Sequence, residues 1–114
     1  MMGAEVGEIL VRRDDNNRIV GVVVRDLPSE RVGEVTQSVH RFLRAVVASM
    51  NDYLHVPSRM VLEEELRLDV DRTDPHLSRE IDAILETLLI GLNMLAEEYP
   101  AELVVRESSI GVQV

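Results

Sequence analysis

Between Asp74-Pro75 and Pro100 no proline interrupts the chain, and apolar residues recur at helical spacing: Leu77, Ile81, Ile84, Leu85, Leu88, Leu92 and Leu95. Residues three and four apart share one helix face, so this stripe predicts a long amphipathic helix that must bury one side. Asp74 as N-cap and Pro75 at the first helical position mark its start, and Pro100 its end near Tyr99. An earlier stripe, Val32, Val35, Val39, Phe42, Val46, Met50 and Tyr53, lies within LPSERVGEVTQSVHRFLRAVVASMNDYL. It predicts a first long helix, with Pro28 in its first turn and a stop near His55 or Val56 ahead of Pro57.

Two such helices need a common surface, and the remaining segments read as strands. GEILVRR and RIVGVVVRD flank the turn formers Asp14, Asp15, Asn16 and Asn17, which predicts a β-hairpin. The run Val22, Val23 and Val24 lacks alternation and suggests a strand covered on both faces. Leu66, Leu68 and Val70 alternate with Arg67, Asp69 and Asp71, as in a half-buried strand. Met60 and Leu62 share that parity, so 59–72 reads as one long strand or a tight hairpin turning at Glu63–Glu65, with a short helix over 58–65 as the alternative. Beyond Pro100, ELVVRESSIGVQV reads as a bulged strand or small hairpin, with Ile110, Val112 and Val114 alternating. The expected fold is a single α+β domain over 1–114. It has a mostly antiparallel sheet, elements in the order ββαβαβ, and two long amphipathic helices packed on one face.

Composition narrows the chemistry. The 114 residues include no cysteine and no lysine, since all twelve basic residues are arginines. Thiol nucleophiles, cysteine metal sites, Schiff-base chemistry and the lysine of a P-loop are therefore excluded. Neither a signal-like start nor an apolar run of about 20 residues is visible, so a cytoplasmic protein without a membrane span is expected. Residues 1–59 hold eight arginines and eight acids, whereas 60–114 hold four arginines and thirteen acids, which accounts for the net charge of −9. An acidic half and only three aromatics, Phe42, Tyr53 and Tyr99, argue against direct nucleic-acid binding.

The chemistry-bearing residues do not form a familiar motif. Asp69, Asp71 and Asp74 are weak candidates for a divalent metal. However, Thr73 stands where an EF-hand loop needs a third acid, and a strand face plus a helix cap accounts for the same residues. His40, His55 and His76 show no zinc spacing. His40 with Arg44 and the acidic 63–74 strand would form the cleft of a ligand-binding protein or enzyme, the alternative reading. No G-x-S-x-G elbow surrounds Ser58, Ser108 or Ser109. No cofactor, metal or catalytic residue is expected. One feature exceeds a lone domain's needs: Leu89, Ile90 and Met94 lie off the second helix's core stripe, with Gly91 among them. These four residues predict an interface, either with a second copy in a homodimer or with a partner helix.

The segments IVGVVVRDLPSERVGEV and ELRLDVDRTDPHLSREIDAILETLLIGLNML, with Leu66, Leu68, Val70, Asp74 and Arg79 at fitting positions, resemble the small dimerising subunit of the KEOPS tRNA-modifying complex. The resemblance covers about 80 residues of pattern. Ala83 and Ile84 stand where that family has a polar pair, and the glycine-type turn between its strands is missing around Glu63–Glu65. It implies a non-catalytic homodimeric scaffold or accessory subunit, working within a larger complex in tRNA threonylcarbamoyladenosine formation.

Overall fold

A computed structural model describes residues 6–27, 33–62 and 65–109. The expected hairpin forms from β1 (Gly7–Arg13) and β2 (Ile19–Arg25). Its turn is held by Asp14, whose carboxylate accepts from the N–H groups of Asn16 at 2.9 Å and Arg18 at 3.0 Å, while Asn17 takes φ 62°. Asx side chains favour such turns because they offer the backbone a local acceptor. The first helix, α1 (Glu34–Ala48), continues into a π-helical turn over Ser49–Leu54 and ends where His55 adopts φ 58°. Two further strands, β3 (Ser58–Leu62) and β4 (Leu66–Val70), pair antiparallel with Leu62 opposite Leu66, so the tight hairpin is the form adopted. The second helix, α2 (Ser78–Glu98), follows a 3-10 turn at Pro75–Leu77 that Asp74 caps by accepting from the His76 N–H at 2.9 Å. Last comes β5 (Leu103–Ser109). The predicted start at Pro28, the stripe position Val32, the turn acids Glu63 and Glu64, and the alternation of Ile110, Val112 and Val114 fall outside the described residues.

The sheet order is β3-β4-β2-β1-β5, antiparallel throughout except that β5 runs parallel to β1. Ile9, Val11, Ile19, Val22, Val24, Leu66, Leu68 and Leu103 send their side chains into one core with those of α1 and α2. The α+β class and the two helices on one face are as expected, with β3 as an added strand. Val23 is also buried, at 4% exposure, yet does not belong to that core. It sits on the other face, with Leu10 and Arg67 as its cross-strand neighbours.

The stripe of α1 is shifted from the predicted one. Val35, Val39, Val46 and Met50 are buried, but Leu43 takes the core position between them, leaving Phe42 at 37% and Tyr53 at 76% exposure. Among the described residues no helix is long and apolar enough to cross a membrane.

Candidate functional site

α1 and α2 lie antiparallel, and on their solvent side the line between them opens into a seam with two halves. The larger half is an open groove of about 530 Å³ lined by Phe42, Ala45, Val46 and Ser49 from α1 and Ala83, Ile84, Thr87, Leu88 and Gly91 from α2. Aliphatic and aromatic carbon dominates it because the residues beside a helix's core stripe are apolar on both helices. Phe42 forms one wall, and a side chain built on Gly91 would meet its ring at 3.6 Å. The smaller half, about 410 Å³, is polar and lies farther along the same two helices, between Glu34, Gln37, Ser38 and Arg41 of α1 and Leu95, Glu98 and Tyr99 at the end of α2. There the Tyr99 hydroxyl donates to Glu34 Oε2 at 3.0 Å. That bond, and the carboxylate's charge, hold the phenol above its ordinary value, so Tyr99 is neutral at physiological pH.

The residues singled out from sequence are scattered relative to this seam. Of the interface set, Ile90 and Met94 are exposed on α2 at 61% and 64%, and Gly91 lines the groove itself. Leu89 is buried in the domain's own core and cannot face a partner, because a helix residue next to the stripe at Leu85, Leu88 and Leu92 turns inward. The three weak metal candidates have separate surroundings. Asp69 lies 3.6 Å from Arg12 and 3.9 Å from Arg67, Asp71 accepts from the Thr73 N–H, and Asp74 caps the turn before α2. Among the described residues no three acids or histidines converge as metal ligands would. His40 is half-buried and Arg44 exposed on α1, and neither lines either half of the seam.

Chemically the seam offers an apolar trough for side chains and a polar end with carboxylates, a guanidinium, a phenol and the Ser38 hydroxyl. Among the described residues no imidazole lines either half. Thr36, the other hydroxyl in the first turns of α1, is 1% exposed and closed to a ligand. Sequence spacing does not announce the trough, because it assigns Phe42 to the core; of the interface residues singled out on α2, only the mid-helix Gly91 lines it.

No family model matches the chain, and no curated protein does. Solved structures do share the fold. The chain is similar to SMU.848 from Streptococcus mutans, with 12% identity, a TM-score of 0.76, and coverage of 92% of this chain and 96% of that one. It is likewise similar to the essential ribosomal processing protease Prp from S. aureus, a structure in complex with a substrate peptide, with 15% identity, a TM-score of 0.75, and coverage of 90% of this chain and all of that one. A second Prp structure, holding a covalently linked product peptide, matches at 14% identity with a TM-score of 0.74 and the same coverage. At such identities the likeness establishes the fold.

These neighbours correct two expectations. The non-catalytic homodimeric scaffold of a tRNA-modifying complex rested on an element pattern, and that pattern is shared with the ribosomal processing protease Prp. The expectation of no enzymatic activity rested on missing motifs. A protease of the same fold, solved with a substrate peptide and with a covalently linked product peptide, removes that ground.

Proposed function

We propose that this protein acts on peptides, taking an extended segment of another protein into the seam between α1 and α2 in the cytoplasm. The observation that carries the reading is the seam itself: an open apolar trough of about 530 Å³, followed along the same helices by a polar end. Pockets that are mostly apolar, with a few polar groups to one side, are the usual form of a ligand site. The likeness to a protease that has been crystallised with substrate and product peptides supports peptide as the ligand class. With no cysteine in the chain, a hydroxyl is the nucleophile we favour for a covalent step, and Ser38 is the aliphatic hydroxyl at the polar end, beside the Tyr99 phenol.

Selection of a displayed random-peptide library against the protein tests this. Enriched peptides should bind saturably and lose binding to Thr87→Trp, whose indole fills the trough from an exposed position. Mass spectrometry of the same mixtures reads whether bound peptides are cut, and cutting that disappears in Ser38→Ala would assign the nucleophile. If nothing is enriched, or if the filled trough binds equally well, the reading fails. Self-association through Ile90 and Met94 is the competing occupant of this face, and light scattering of the free protein at micromolar concentration decides it.

A further inference from the structure

Resting on the peptide reading, we infer that the seam selects a peptide with an apolar side chain and a cationic side chain three or four residues apart. The two halves are different in kind and fixed in separation. The trough is centred near Ala45 and the polar end near Gln37 and Ser38, some eight positions along α1. At 1.5 Å per helical residue that is roughly 12 Å. An extended peptide rises about 3.3 Å per residue, so roughly three to four residues span it. An aliphatic or aromatic group fits the trough, where Phe42, Ile84 and Leu88 would take its surface out of water.

The sign of the second anchor follows from the charges at the polar end. Two carboxylates, those of Glu34 and Glu98, and one guanidinium, that of Arg41, line it. Glu34 accepts from Tyr99, and among the described residues Glu98 and Arg41 have no ion pair. The start of α1 and the end of α2 meet here, so their opposed dipoles largely cancel and the side chains decide the sign. Glu97 adjoins Glu98, and the net charge of −9 adds a longer-range bias toward a cation. A lysine or arginine of the ligand therefore completes the polar end, with Glu98 as its partner.

The test is fluorescence anisotropy with short, end-capped glycine-serine peptides carrying one leucine and one arginine three or four positions apart. Replacing the arginine by glutamate should weaken binding by about tenfold or more, and the loss should shrink as salt rises. Glu98→Arg, at an exposed position, should reverse the preference, with circular dichroism checking that the variant is folded. Moving the arginine next to the leucine should weaken binding as much as removing it. Equal affinity for both charges, or a Glu98→Arg protein with unchanged preference, overturns the selectivity and leaves peptide binding intact. Failure of every peptide in the set, together with an empty library selection, removes the peptide reading as well. A dimer that buries the seam, and that Ile90→Glu with Met94→Lys converts to monomer, overturns both.

Discussion

At the scale of single residues, the least ordinary group is Arg72. Its side chain is 6% exposed, yet among the described residues it is served by two acceptors, the Ile19 carbonyl at 3.2 Å and the Asp82 carboxylate, and its Nε has no partner. Asp82 keeps 42% of its side chain in water. The two halves of the pair should therefore respond unequally to removal. Asp82→Ala strands a buried cation and should cost about 2–4 kcal/mol, whereas Arg72→Met returns Asp82 to solvent and should cost about half as much. Urea denaturation of both variants measures the order, and a larger loss for Arg72→Met would refute it. Asp14 supplies a pH-dependent counterpart. Desolvation opposes its charge, but hydrogen bonds from Arg18 and Asn16 outweigh it and leave the carboxyl below its usual value. A folded value below the unfolded one, about 3.9, adds stability above that pH and forfeits it as the pH falls through the folded value. The stability gap between the wild type and Asp14→Ala should thus be widest near neutrality and close below about pH 4. A gap that widened in acid would contradict the assignment. Asp14 is legible in the sequence as a turn former. Arg72 is not, because nothing local announces that its guanidinium will be buried against Ile19, a residue 53 positions away.

At the scale of elements, two glycines make opposite predictions for the same substitution. Gly21 lies in β2 opposite Arg12 on one side and Asp69 on the other. A side chain there would meet the Leu68 carbonyl oxygen at 2.8 Å and Asp69 Oδ1 at 3.0 Å. Backbone cannot give way cheaply, so Gly21→Ala should destabilise by about 1–3 kcal/mol through strain in a packed sheet. Gly91 is mid-helix, with only the Phe42 ring nearby, at 3.6 Å. Gly91→Ala should stabilise α2 by up to about 1 kcal/mol, since alanine restricts the unfolded backbone more than glycine. Thermal melts of the two variants should move in opposite directions, and a shared direction would show that one environment has been misread. The helices themselves are the most legible part of the chain, because a stripe at spacings of three and four is local information. Ile81, Leu85, Leu88, Leu92 and Leu95 are all buried as their periodicity requires. The α1 difference at Phe42 and Leu43 has a simple cause. Both positions satisfy the spacing from Val39 and Val46, and only the place of the sheet and of α2 decides which one turns inward. That one-position difference leaves an aromatic wall beside α2 and so creates the trough.

At the scale of the whole molecule, the pairing of β1 with β5 joins the described ends of the chain in parallel, with Gly7 opposite Leu103. Parallel neighbours need a crossover connection, and here everything from β2 to α2 lies between them. Strand periodicity says that a segment is half-buried but not which strand it joins, so this closure is not legible in the sequence even though β5 is. The Gly7 N–H donates to the Glu102 carbonyl at 2.9 Å where the two strands begin to pair, and the Leu103 N–H donates to the Tyr99 carbonyl at 3.1 Å in the turn that leads from α2 into β5. Leu103 is 1% exposed and joins the core shared by the sheet and both helices. Leu103→Ala should therefore cost about 2–5 kcal/mol, as buried leucine truncations do. Its effect should also travel: if β5 closes the sheet, hydrogen exchange at β1 amides should accelerate with that of β5, since both lose the edge pairing together. The β3–β4 hairpin sits at the other edge and should keep its own, lower protection unchanged until the global stability falls to meet it. Acceleration confined to β5 would mean that the strand is an appendage. Acceleration of β1 and β5 together would make the junction of the two ends the element on which the sheet, and the helix pair that forms the seam above it, depends.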